Sequence, residues 1–363
     1  MQKEIRRKTL GPKRRGRRSG QKTLAVLVVL ILALSGCGLL ESGNSPMPSG
    51  DSEMNLPKIG LVTDEGGIED PYYQKAWKGL QKAEQDLKLE ISYVKAKNDK
   101  DYPSKLAELN SQKADVIFTI GSQAVPDVLE AAKKTPKIKY VCLDSNLESP
   151  IPSNVLGVSY KIEEGAFLAG YLAGKTTKSR VAGYISGDNK EESQRYYYGF
   201  KTGLRLSNSG CELMKGIAGT FTNKKRVEKM VERMIESKAD VIFHNVGSAG
   251  KSVIKEMDKA SKYSIGVDVD QNELASESVI TSVVKNNDEV IYEILKKLDE
   301  KSLILGKNLV YGLGENGVSL AESTKDIIPE TTYNLLLQQQ EKIIAGKLKI
   351  PTNESEYLNF SNK

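Results

Sequence analysis

Residues 238–250 read KADVIFHNVGSAG, and residues 113–122 have already read KADVIFTIGS. Each copy follows a stretch of helical spacing, LAELNSQ at 106–112 and VEKMVERMIES at 227–237. Each runs through a short apolar strand, VIF, into a glycine turn at Gly121 or Gly247, and then into another helical pattern. A further apolar strand ending in an acid follows each: IKYVCLD at 138–144, closing on Asp144, and SIGVD at 264–268, closing on Asp268. The echo also extends backwards. KIGLVTD at 58–64 leads to YYQKAWKGL at 72–80, and VAGYISGD at 181–188 leads to YYGFKTGL at 197–204. One strand–helix–strand–helix–strand plan is used twice.

Alternating strands and helices build a parallel sheet covered on both faces, which is why these strands read as continuous apolar runs. Ligands of open parallel sheets bind beyond the carboxyl ends of the strands, where both copies carry their Gly and Asp residues. The expected fold is α/β: two Rossmann-like parallel-sheet domains facing each other across a ligand cleft, closing by a hinge. The first lobe is expected to comprise residues 58–160 and 286–305, the second residues 161–285 and 306–363.

Ahead of the repeats, residues 1–22 hold ten Lys/Arg against one acid, Glu4, and TLAVLVVLILAL at 23–34 is uncharged. A basic region, a short apolar core and the small-residue site Leu34-Ser35-Gly36-Cys37 form a secretory signal over residues 1–36. The core is shorter than the roughly 20 apolar residues of an ordinary membrane span. Without that segment the formal charge of +6 becomes about −3. The basic character therefore belongs to the signal, and no nucleic-acid surface is expected. Residues 37–57, rich in Gly, Ser, Pro and Asn, read as a flexible tether. Cys142 and Cys211 are expected as lone packed thiols.

In the first half, Asp64 ends a strand before Glu65-Gly66-Gly67, as a site residue or simply as a turn former. Tyr72 and Tyr73 enter the next helix where a cleft would lie, whereas Trp77, Leu80, Ala83 and Leu87 have core spacing. EEGAFLAGYLAGKT at 163–176 is a small-residue helix, too short and charge-bounded to span a membrane, that joins the halves. In the second half, Phe221 follows a predicted strand, Asp268 and Asp270 alternate, and a strand at 279–284 ends in Lys285. Helices are expected over 288–301 and 333–347, with a strand region over 309–318.

Enzymatic chemistry has little to stand on. The one histidine, His244, replaces Thr119 of the first copy and reads as a packed polar residue. There is no GxSxG, Walker or GxGxxG motif and no His/Cys metal spacing, and the Asp268/Asp270 pair lacks the other ligands of an EF-hand. No cofactor or metal is expected. The acids Asp64, Asp144, Asp268 and Asp270 suit glycoside cleavage if paired, but equally suit polyol binding, since a carboxylate accepts from two hydroxyls at once.

Taken in order, the lipobox, VTDEGG-x-x-x-PYYQKAWKGL, ADVIF-x-x-GS, EEGAFLAGYLAG, QRYYYGFKTGL, GTF, GVDVDQ and SVVKN resemble the basic membrane protein family of bacterial substrate-binding lipoproteins. The resemblance covers residues 58–320 and implies a type I periplasmic-binding-protein fold. It also implies a nucleoside ligand, chiefly purine, an ABC permease as partner, a monomer, and an extracytoplasmic membrane anchor through lipid on Cys37. By the same resemblance, Tyr72 and Phe221 match aromatics on the two faces of the base. Asp64 and Asp144 match acids on the first-domain side, and Gly247, Asp268 and Lys285 match second-domain and hinge contacts to the sugar. Two departures stand out. The family's Phe-Asn before Gln is Tyr72-Tyr73 here, which removes an amide that can read a base edge. The segment 187–192 is also more charged than the family pattern. A nucleoside-cleaving enzyme and a non-transport ligand sensor are the alternative readings.

Overall fold

The structure is a computed structural model that describes residues 56–361. The signal segment, Cys37 and all but the end of the tether lie outside the described residues. In chain order the elements are β1 (Lys58–Thr63), α1 (Pro71–Leu87), β2 (Glu90–Lys95), α2 (Tyr102–Ser111), β3 (Val116–Ile120), α3 (Val125–Lys134), β4 (Lys139–Leu143) and β5 (Val155–Tyr160). Then come α4 (Ile162–Thr176), β6 (Val181–Ser186), α5 (Glu191–Ser207), β7 (Glu212–Ile217), α6 (Lys224–Glu236), β8 (Val241–Asn245), α7 (Gly250–Lys259), β9 (Tyr263–Asp268) and β10 (Val279–Lys285). The chain closes with α8 (Asn287–Asp299), β11 (Lys307–Tyr311), β12 (Val318–Leu320), α9 (Thr324–Ile327), α10 (Glu330–Ile344) and α11 (Glu354–Ser361).

Two six-stranded sheets result, in the orders β11-β5-β4-β3-β1-β2 and β12-β10-β9-β8-β6-β7. The two orders correspond strand for strand, and among the described strands only the β10–β12 pairing is antiparallel. The duplicated sequence is thus a duplicated topology, down to its packing. Gly60 of β1 leaves room for Leu109, 2.7 Å from where a Cβ would sit, and Gly183 of β6 leaves room for Met234, 2.8 Å from the same point. Leu109 and Met234 each stand four residues before the repeated Lys, so the same glycine-and-large-residue pair is built in both halves. Those lysines, Lys113 and Lys238, are both left-handed, with φ of 62° and 72°. The acids closing the repeats, Asp144 and Asp268, share that conformation at φ 55° and 67°, which Asp tolerates better than most residues.

One glycine equivalence shifts. Gly121 (φ 91°) precedes the helical turn of residues 122–124, whereas Gly247 (φ 52°) is the first residue of the matching turn at 247–249.

The small residues of α4 do what their spacing predicts. A Cβ at Gly170 would overlap the Phe200 carbonyl of α5, and one at Gly203 of α5 would overlap the Phe167 carbonyl of α4. These two helices meet backbone to backbone. In the first lobe Gly79 of α1 meets the Asp288 backbone of α8 in the same way, with a carbon 2.7 Å from the missing Cβ.

The chain passes between the sheets three times, from β5 to α4, from β10 to α8 and from β11 to β12. Residues 306–363 were expected wholly in the second lobe, and β11 corrects this: it pairs in parallel with β5 and extends the first sheet. All but its last residue are half-buried or exposed, as in an edge strand, which carries little apolar signal. The crossovers are tied to one another. Lys161 N–H donates to the Tyr311 carbonyl at 2.8 Å, and Asn286 N–H to the Gly317 carbonyl at 2.9 Å. Among the described residues no helix is long and apolar enough to cross a membrane.

Candidate functional site

The carboxyl ends of both sheets converge on Lys285, the last residue of β10, whose side chain is almost fully buried. Its ammonium donates to Asp144 Oδ2 at 2.6 Å and to Glu192 Oε1 at 2.9 Å, and Asp268 Oδ1 lies 3.5 Å away. Asp144 follows β4 in the first sheet, so this ion pair crosses between the lobes. Tyr72 completes the group by donating its hydroxyl to Asp144 Oδ2 at 2.7 Å. It is placed there by a sharp helix start: Pro71 opens α1 and the Asp70 carboxylate accepts from Tyr72 N–H at 2.9 Å.

The electrostatics follow from burying one cation among three carboxylates. Burial alone would lower the Lys285 pKa, but Asp144 and Glu192 reverse this and hold the ammonium well above its ordinary value. Burial pushes the Asp268 carboxyl up to about 6, with Lys285 opposing and Asp144 and Glu192 adding to the rise. The Tyr72 phenol is raised by burial and by Asp144, so it stays a proton donor at neutral pH.

A second group forms around Phe221, in the loop after β7. Its ring covers Gly187, where any side chain would collide with it, and its carbonyl accepts from Ala249 N–H at 3.0 Å. Gly247 is needed under it twice over: its φ is 52°, and a Cβ would lie 3.1 Å from the Phe221 oxygen. Phe221 is 41% exposed, too open for a core residue of its size.

Two of the expected site residues stand apart. Tyr73 is buried in the first-lobe core, only 4% exposed, with its ring edge-on to Tyr72 at 5.9 Å. It supports Tyr72 from behind and does not face the cleft, since adjacent helical residues point about 100° apart. Asp64 is exposed, and its Oδ1 accepts from Gly66 N–H at 2.9 Å in a local turn. Among the described residues no hydrogen bond or ion pair joins it to the Lys285 group. His244 is fully buried, as expected for packing. Burial lowers its pKa to about 4, and its ring lies against Gly250, which leaves no room for a Cβ. Cys142 and Cys211 are free thiols.

Two residues were missed. Glu192, in the first turn of α5, binds Lys285 and belongs to the over-charged segment 187–192, whose signal was visible but unassigned. Tyr196, one turn further along α5, is fully buried with a hydroxyl that has no hydrogen-bond partner among the described residues. Lys285, Asp268, Glu192 and Asp144 are the charges that act on it. Aligning the helix glycines Gly79 and Gly203 makes Tyr196 the counterpart of Tyr72, as Asp268 is of Asp144. The adjacent tyrosines of YYY hid that equivalence. The group can accept several hydroxyls at carboxylates, donate from an ammonium and a phenol, and present an open aromatic face. Among the described residues no His/Cys/Asp/Glu group is arranged to hold a metal ion.

Residues 58–354 match the family model described as "Bmp: ABC transporter substrate-binding protein PnrA-like". The chain is 29% identical over 318 residues to Basic membrane protein D of Borreliella burgdorferi, covering 86% of this chain and 93% of that one. It is 27% identical over 358 residues to the CD4+ T-cell-stimulating antigen of Listeria innocua, covering 91% and 99%. Among solved structures it superposes on an ABC transporter system solute-binding protein from Aeropyrum pernix with a TM-score of 0.70, at 19% identity and covering 84% and 96%. A transcriptional activator of the comK gene from Bacillus halodurans gives 0.72, at 18% identity and covering 81% and 99%. The structural likenesses carry the fold, that of the type I periplasmic binding proteins. With the family model spanning both lobes and the crossovers between them, this chain belongs to the PnrA-like family of ABC transporter substrate-binding proteins.

Proposed function

We propose that the chain is a lipid-anchored extracytoplasmic binding protein that captures a nucleoside between its lobes and delivers it to an ABC permease. The carrying observation is the convergence of Tyr72 and Asp144 from one lobe with Asp268 and Lys285 from the other. In this reading the base lies between Tyr72 and Phe221, whose faces suit planar stacking. Asp268 accepts from the vicinal sugar hydroxyls, with the Lys285 ammonium beside them. Asp144 and Gly247 complete the contacts from either lobe, and Asp64 shapes the rim of the first. The purine class comes from the family resemblance, and Cys37 supplies the anchor. Closure is favoured because ligand contacts from both lobes exist together only in the closed state. The reading is of a monomeric binder and not of an enzyme, since Asp144 and Asp268 are both engaged by the one Lys285 ammonium.

A thermal-shift screen of the purified protein against nucleosides, free bases and sugars tests this. A ligand at about 100 times its Kd adds about 2.7 kcal/mol, which at this size raises Tm by about 4 °C. Purine nucleosides should give that shift. A shift with sugars or bases and none with nucleosides would contradict it.

A further inference from the structure

The cleft group holds one ammonium and three carboxylates, and an ammonium has three N–H bonds to give. Two go to Asp144 at 2.6 Å and Glu192 at 2.9 Å, and Asp268 stands as a third ion-pair neighbour 3.5 Å away. The four are not equally enclosed. Side-chain exposure is 3% for Lys285, 19% for Asp144, 32% for Asp268 and 54% for Glu192. Glu192 therefore stands on the solvent side of the ammonium.

Its position has an ordinary explanation, because acids in the first turn of a helix are favoured by the helix dipole. Glu191 meets that need equally well, as it shares the first turn of α5. Glu192 does something its neighbour does not, turning its carboxylate inward onto Lys285. Four residues on, and so on the same helix face, Tyr196 presents its buried hydroxyl, without a partner among the described residues, beside the same charges. This face of α5 is turned to the site.

We propose that Glu192 is the specificity residue that excludes phosphorylated ligands from the cleft, an inference that rests on the nucleoside reading above. A phosphate monoester carries about −1.5 to −2 charges at neutral pH and needs a cation with donors to spare. The ammonium here is already neutralised by Asp144, Glu192 and Asp268, and an anion approaching from solvent meets the Glu192 carboxylate first. An uncharged nucleoside suffers neither penalty. Discrimination of this kind rests on a repulsive element as much as on attractive contacts.

Calorimetric titration of the wild type, Glu192→Gln and Glu192→Lys with adenosine and with its 5′-monophosphate reads the proposal out as a ratio of affinities. The wild type should favour the nucleoside. In Glu192→Gln, whose amide oxygen still accepts from Lys285, the ratio should fall by about tenfold, the size of one like-charge pair at partial screening. In Glu192→Lys it should fall further, and raised ionic strength should shrink both effects. Unchanged ratios in both variants overturn the proposal, as does an equal loss of both ligands, which would make Glu192 a positioning residue for Lys285 only. Failure of the wild type to bind adenosine or any other nucleoside overturns the nucleoside reading itself, and this inference with it.

Discussion

At Asp268 the backbone is left-handed and the carboxylate is hemmed in by Lys285, Asp144 and Glu192. Its carboxyl titrates at about 6 in the folded chain and near 3.9 when unfolded. Between those values the folded chain holds a proton that the unfolded chain has lost. Stability therefore falls as pH rises through that window, and the ionised group remains a cost at neutral pH. Asp268→Asn should stabilise the protein by about 1–2 kcal/mol at pH 7.5, after allowing for partial solvent screening. The gain should vanish below about pH 4. Denaturant titrations at the two pH values check this, and an equal gain at both, or a loss at neutral pH, would refute it. The placing of Asp144, Asp268 and Lys285 at the carboxyl ends of strands was legible because each closes an apolar run. Tyr73 was misread because two adjacent tyrosines at a helix start look alike until the helix is rotated into place. Glu192 was passed over because a first-turn acid is usually only a solvated dipole partner.

At the scale of elements, what fixes α4 against α5 is absence of side chain. Gly203→Ala should cost about 1–3 kcal/mol through overpacking, seen as a drop in Tm of several degrees. Gly210→Ala provides the comparison, since the nearest atom to its missing Cβ is 3.9 Å away and it should be nearly neutral. Similar melting temperatures for the two variants would mean that α4 and α5 separate more easily than their packing indicates. The helices and central strands were legible because their apolar periods are strong and stated twice. Of the edge strands, β7 was expected ahead of Phe221, but the single strand region expected over 309–318 is two strands, β11 and β12, in different sheets. β11 is half-buried and sits beside the third crossover, so its membership of the first sheet depends on a long-range pairing with β5 that has no local signature. The shift of one residue between Gly121 and Gly247 was hidden for a similar reason, because a glycine satisfies either of two neighbouring turn positions.

At the scale of the whole molecule, two lobes of one topology face each other across three crossovers, with Lys285 where the second crossover begins. Duplication makes the carboxyl ends of both sheets available to one ligand. Divergence then gives the halves different tasks. Tyr72 bonds Asp144, whereas its counterpart Tyr196 is buried near Asp268 with no partner among the described residues, and Phe221 stands exposed above its glycines. The architecture could be read from the sequence because a repeat constrains topology strongly. How Lys285 is shared among three carboxylates could not, since it depends on the separation of strand ends far apart in the chain. The central claim is that Asp268 holds ligand hydroxyls. It is tested most directly by titrating the wild type and Asp268→Ala with a ribonucleoside and with its 2′,3′-dideoxy analogue. Hydrogen bonds to a charged group contribute about 1.5–3 kcal/mol each. The substitution should therefore weaken the ribonucleoside by about tenfold to several hundredfold, while the dideoxy analogue loses much less. Equal losses for the two ligands would contradict the account, even if both bind the wild type tightly.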